Sequence, residues 1–149
     1  MKVSVHLFNR DGVLVGPVLV DRVEKSDAEW RRLLTAEQYH IARGKGTEAP
    51  FCGTLLDNKK HGVYSCLCCG LPLFSSSAKF NSGTGWPSFF QPIAEENVVH
   101  NIAQQGGYKV SCALCEAHLG HVFDDGPPPT GLRYCMDGVA LRFIPWPAA

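Results

Sequence analysis

Between His118 and Gly138 the chain reads HLGHVFDDGPPPTGLRYCMDG, which sets two histidines, an acidic pair, an arginine and a cysteine in one short segment. A thiol reacts as its thiolate, and a nearby cation or imidazole raises the thiolate fraction near neutral pH. His118, His121 and Arg133 supply such a setting for Cys135 if the Pro127-Pro128-Pro129 turn folds the segment back on itself. The competing reading is a buried structural cysteine beside packing histidines. This stretch alone leaves both open.

Cys135 is one of seven cysteines, at positions 52, 66, 68, 69, 112, 115 and 135. The start, MKVSVHLFNRDG, is broken by His6, Asn9 and Arg10 and does not read as a secretory signal, so a cytoplasmic protein is expected. In that setting metal binding or catalysis fits the cysteines better than a disulfide scaffold. Cys66 with Cys69, and Cys112 with Cys115, form two Cys-x-x-Cys pairs. Each presents two sulfurs from a tight turn, and two such turns together make a tetrahedral four-thiolate cage. With every position filled by protein, the expected ion is one structural zinc. Cys52, Cys68 and Cys135 remain. Cys66 with Cys68 would be a cramped pair, so Cys68 stays unassigned, and Cys52 with Cys135 becomes a candidate redox couple.

The elements that must position these groups are short. Residues 3–8 and 13–20 read as extended runs about an Asn9-Arg10-Asp11-Gly12 turn, interrupted by Gly16-Pro17: a small hairpin or a loosely attached arm over 1–22. Ser26-Asp27-Ala28-Glu29 and Thr35-Ala36-Glu37-Gln38 have the form of capping boxes, which predicts two short helices, the second stopped at Gly44. From Thr47 onward, glycine and proline split β-rich runs at 63–65, 71–74, 98–102, 108–112 and 139–144. The fold class is therefore mainly β and antiparallel, one domain over 23–149 with a helical cover near its start. Fourteen basic residues balance fourteen acidic ones in 149, which disfavours a nucleic-acid partner, and no apolar run approaches a membrane span.

A further stretch, Phe80 to Phe90, surrounds Trp86 with flexible glycines and large aromatics. An indole braced between Gly85 and Pro87 can wall a small apolar pocket, and a thioether methyl suits such a wall. On these residues alone, Trp86 and Phe89 as ordinary core aromatics is the better reading.

SGTGWPSF (82–89), the two Cys-x-x-Cys pairs, HLGHVF (118–123) and GLRYC (131–135) together resemble the B-type methionine-R-sulfoxide reductases. The likeness extends back through EKSDAEWRRL and EQYHIARGKGTEAPFCG, covering residues 23–145. It implies a tent-like body of two antiparallel sheets with zinc opposite the active site. It implies Cys135 as the nucleophile, which takes the sulfoxide oxygen as a sulfenic acid, and a second cysteine that condenses it into a disulfide. It further implies thioredoxin as reductant. His118, His121 and Arg133 would orient substrate and water and favour the thiolate, and Trp86, with Phe89 beside it, would hold the substrate methyl. The substrate would be oxidised protein or free methionine sulfoxide, and the enzyme a monomer.

Two positions depart from parts of that family. One resolving-cysteine position is occupied here by Thr84, which leaves Cys52, in PFCG, as the implied resolving residue. Asp137 stands where an Asn is usual. An ionised Asp only accepts hydrogen bonds, and its charge raises the pKa of a nearby thiol, so either the enzyme is slowed or Asp137 is protonated or turned away. The alternative to an enzyme is a zinc-knuckle module that displays the Trp86 loop to a protein partner. Such a module has no use for the HLGHVF and RYC segments or for a spare cysteine at 52.

Overall fold

The computed structural model describes residues 1–44, 46, 47, 49, 55–102 and 107–145. An N-terminal hairpin comes first, β1 (Lys2–Phe8) paired antiparallel with β2 (Leu14–Asp21). Its interruption at Gly16-Pro17 is a register shift opposite Val5 to Leu7, where a Cβ on residue 16 would meet the Val5 carbonyl at 2.9 Å. The hairpin is docked, not loose. Val5 is fully buried, and the buried Asn97 amide accepts from the His6 N–H at 2.8 Å and donates to the His6 and Pro72 carbonyls at 3.0 and 2.8 Å.

Both predicted helices form, α1 (Asp27–Leu33) and α2 (Ala36–Ala42). Ser26 with Glu29 and Thr35 with Gln38 close reciprocal capping boxes, satisfying amides that lack partners in a first helical turn. Trp30, Ile41 and Ala42 face the core, and the Arg43 guanidinium lies 4.4 Å from the Trp30 ring centre.

The β body has two sheets, both antiparallel. The smaller is ordered β11 (Leu141–Pro145), β3 (Gly62–Cys66), β4 (Pro72–Ser75). The larger contains β5 (Lys79–Phe80), β6 (Ser88–Phe89), β7 (Val98–Ile102), β8 (Tyr108–Cys112), β9 (His118–Phe123) and β10 (Arg133–Met136). Its spatial order is β5-β6-β10-β9-β8-β7. The core lies between the sheets, where Phe74 stacks on Phe89 at 4.4 Å and Tyr64 meets Phe89 edge-on at 5.1 Å. The expected mainly β class with a short helical cover is what the chain adopts. The turn between β9 and β10 includes Pro127-Pro128-Pro129, with Gly126 N–H donating to the Gly131 carbonyl at 2.9 Å, so the His118–Gly138 stretch does fold back on itself.

Candidate active site and metal centre

Pairing of β9 with β10 builds the site. Arg133 stands opposite Phe123, Tyr134 opposite Val122, and Cys135 opposite His121. Opposed residues share a face and successive residues alternate faces, so His121, Phe123, Arg133 and Cys135 lie on one side while Val122 and Tyr134 enter the core. On the other flank β6 places Ser88 against Cys135 and Phe89 against Tyr134. The same alternation therefore sends Phe89 inward, where it is fully buried against Phe74. Phe89 belongs to the core and does not wall a substrate site, contrary to the expectation drawn from the resemblance.

Cys135 opens into a cleft of about 350 Å³ shared with Thr84, Trp86, His121, Phe123, Arg133 and Asp137. Trp86, half-buried in the loop before β6, lines it. Arg133 is fixed by a two-point interaction with Asp125, Nε to Oδ1 at 2.9 Å and Nη2 to Oδ2 at 3.1 Å, and its guanidinium lies 4.6 Å from the Phe123 ring centre. That pairing holds the Asp125 carboxyl below its usual range. Sequence reasoning missed Asp125 and Phe123 as parts of the site. The available signal was an acidic pair facing an arginine across the proline turn.

His118 lies elsewhere. It borders a separate cleft with Arg43, Ser111 and Glu116, and its Nε2 is 3.8 Å from Asp137 Oδ2, both side chains being nearly buried. Its ring is 5.7 Å from that of His121. His118 thus approaches the Cys135 cleft through Asp137, which does face it; of the alternatives drawn for Asp137, a slowed enzyme and a protonated carboxyl remain, and a side chain turned away does not. Cys52 is outside the described residues.

Burial pushes the Cys135 thiol above its ordinary value. The Thr84 hydroxyl and Arg133 guanidinium oppose this, and the Asp137 carboxylate adds to it. Burial, then the charge on Lys109, lowers the His121 pKa, so its imidazole is neutral at pH 7. The upward shift, led by burial, runs against the thiolate-favouring setting expected from the sequence: Arg133, engaged by Asp125, opposes it only in part, and His121 adds no positive charge. Below the thiol pKa, the thiolate fraction rises tenfold per pH unit. Alkylation of Cys135, followed on its own peptide by mass spectrometry, should accelerate about a hundredfold between pH 6 and pH 8 without a plateau. A plateau below pH 8 would contradict the upward shift.

The four predicted ligands converge. The sulfurs of Cys66, Cys69, Cys112 and Cys115 all lie within 4.8 Å of one another, with Cys66 to Cys115 at 3.6 Å and Cys69 to Cys112 at 3.5 Å. Zinc with four thiolates at about 2.3 Å sets sulfurs roughly 3.8 Å apart, so the donor set fits. The two turns are built alike. Gly70 N–H donates to the Cys66 carbonyl at 2.8 Å and Glu116 N–H to the Cys112 carbonyl at 2.9 Å, each residue taking a positive φ, 82° and 65°. Arg43 Nη1 donates to the Cys115 carbonyl at 2.9 Å, so α2 is tied to the second turn. Contacts with the other cysteines, and burial after them, hold the Cys66 and Cys112 thiols well above the usual range, a conflict that a divalent cation relieves by displacing protons. Cys68 lies outside this set and is half-buried.

Comparison with known proteins identifies the family. A family model described as the SelR domain matches residues 34–145. A protein of Hahella chejuensis named peptide methionine sulfoxide reductase MsrB is 54% identical over 127 residues, covering 83% of this chain and 91% of the relative. Proteins of the same name from Herminiimonas arsenicoxydans and Methanosarcina barkeri are 52% and 53% identical over 128 and 126 residues, covering 84% and 81% of this chain and 93% and 87% of theirs.

Proposed function

The chain belongs to the SelR-domain family of methionine sulfoxide reductases, and from that premise we propose that it reduces the R epimer of methionine sulfoxide through Cys135. The observation that carries this reading is the cleft in which one cysteine meets Trp86, His121 and Arg133 while four others are gathered into a separate cluster. In the proposed cycle the Cys135 sulfur attacks the sulfoxide sulfur. The sulfoxide S–O bond breaks, the oxygen, protonated, passes to the Cys135 sulfur as a sulfenic acid, and methionine leaves as the thioether with the electron pair. A Cys52 thiol then displaces water to give a Cys52–Cys135 disulfide, and a thioredoxin dithiol returns both to thiols by exchange. Trp86 packs the substrate methyl, and Arg133 and neutral His121 hydrogen-bond the sulfoxide oxygen and water. Asp137 and His118 set the charge behind the nucleophile.

Zinc is the ion that the four thiolates suit, and it would lock the two turns together without entering the chemistry. Thiolate ligands and a dithiol reductant both suit the reducing cytoplasm. We assign the reductase unit to residues 23–149, acting as a monomer on protein-bound or free sulfoxide, with the hairpin appended.

Single-turnover reduction of the separated R and S epimers of a methionine sulfoxide peptide, with thiols counted before and after, tests the reading. Turnover of the R epimer alone with loss of two thiols is expected; no turnover of either by folded, metal-loaded protein would sink it in favour of a binding module. Cys52→Ser should complete one turnover at an unchanged rate yet lose nearly all multiple turnover with thioredoxin. Normal cycling by that variant would assign resolution to another thiol. Asp137→Asn removes the negative charge beside Cys135 and should raise its thiolate fraction at pH 7 about two- to threefold, read by the same alkylation titration. An unchanged titration would show that Asp137 carries no charge there.

A further inference from the structure

Three hydroxyls lead from the backbone of Trp86 to the sulfur of Cys135. Ser88 Oγ donates to the Trp86 carbonyl at 3.1 Å. Ser82 Oγ is 2.7 Å from Ser88 Oγ and 2.8 Å from Thr84 Oγ1, and Thr84 Oγ1 is 3.8 Å from Cys135 Sγ. A hydroxyl has one proton and a carbonyl has none, so the direction of every link follows from the first. With its proton on the Trp86 carbonyl, Ser88 accepts from Ser82; Ser82 then accepts from Thr84, and Thr84 accepts from the Cys135 S–H. The Thr84 amide also donates to Ser82 Oγ, at 3.3 Å. Both lone pairs of Ser82 are thus used by Thr84, and its proton is left for Ser88.

We infer that Ser88, Ser82 and Thr84 form a directional hydroxyl chain that holds Cys135 as a thiol at rest and must reverse before Thr84 donates to the thiolate. In the reversed chain Ser88 donates to Ser82, Ser82 to Thr84 and Thr84 to the sulfur, and the Ser88 bond to the Trp86 carbonyl is given up. The chain ends on a carbonyl and not on a base, so it sets proton orientation and does not export the thiol proton. Thr84 touches the reacting sulfur; Ser82 and Ser88 are positioning residues that act through it. Among the described residues, the charged and titratable groups facing Cys135 are Arg133 and Asp137 on its own segment and His121 on β9, with Lys109 on β8 beyond it. Hydroxyl substitutions leave all of these in place.

This inference takes its catalytic meaning from Cys135 as nucleophile, but its test needs no substrate. The full-length, metal-loaded protein is alkylated across a pH series and Cys135 is followed on its own peptide. Ser82→Ala and Ser88→Ala each release Thr84 from its acceptor, directly or through the chain, and should raise the thiolate fraction at pH 7 by about threefold or more. Thr84→Val removes the only donor in the chain that reaches the sulfur and should lower that fraction, whereas Thr84→Ser should restore it to about the wild-type value. Alanine at 82 or 88 that lowers the fraction or leaves it unchanged overturns the directional chain, as does a shift of the same sign for Thr84→Val. Ser88 is buried on β6 and Ser82 only half-buried, so if Ser88→Ala fails to fold, Ser82→Ala decides alone. Epimer turnover by the wild-type protein reports separately on the reductase reading.

Discussion

Cys135→Ser should lower single-turnover reduction of an R-sulfoxide peptide on the order of a thousandfold or more, with the fold intact. A serine hydroxyl is a far weaker nucleophile than a thiolate, and lowering of the His121 pKa leaves that imidazole a weak acceptor for the hydroxyl proton. Its nearest titratable neighbour across the sheet is His121, whose neutral imidazole sits beside Lys109 and is poorly placed to become cationic. The substitution removes little volume from a half-buried site, so melting temperature and circular dichroism should stay near wild type. Residual turnover within tenfold of wild type would mean that another cysteine carries the reaction.

The second large effect is on folding. Cys112→Ser, or prolonged chelation, should leave the chain unfolded at 25 °C or lower its melting temperature by about 15 °C or more. Cys112 ends β8 and its backbone N–H donates to the Ala117 carbonyl at 2.9 Å, immediately before β9 begins. Structural zinc sites contribute about 10 kcal/mol or more to small domains, comparable with the whole stability of a domain this size. Metal content measured by elemental analysis should fall with the folded fraction. A folded, active and metal-free Cys112→Ser protein would refute a structural metal.

How much of this was legible in the sequence depends on the range of the interactions involved. The capping boxes at Ser26 and Thr35 are closed by residues three apart, so local spacing sufficed. The two Cys-x-x-Cys turns are equally local, and the chemistry of thiols near a cation supplied the rest. Phe89 was assigned to the substrate because its fate depends on register: β6 is two residues long, too short to display its own alternation, and only its pairing with Tyr134 sends the ring inward. Strand β10, by contrast, carries a readable alternation in Arg133-Tyr134-Cys135-Met136, obscured because its outward residues are chemical groups. Of the causes of the thiol's upward shift, only the Asp137 charge was legible. Burial of Cys135 and capture of Arg133 by Asp125 are properties of the assembled site. So is the Ser82–Thr84–Ser88 hydroxyl chain, whose members look in sequence like ordinary loop residues.

The burial of the cysteine cluster has one more consequence. The sulfenic acid of the proposed cycle is an oxidising equivalent that must be kept away from the other sulfurs. Cys66, Cys112 and Cys115 are at most 2% exposed and are gathered into their own cluster, apart from the cleft that Cys135 shares with Trp86. An oxidant arriving from solvent therefore meets Cys135 before Cys66, Cys112 and Cys115, whereas Cys69, half-buried like Cys135, is set apart only by its place in the cluster. In the proposed cycle the reactive thiol would act as a sacrificial electrode that can be recharged, and the wear of each turnover would fall on a part the cell can restore.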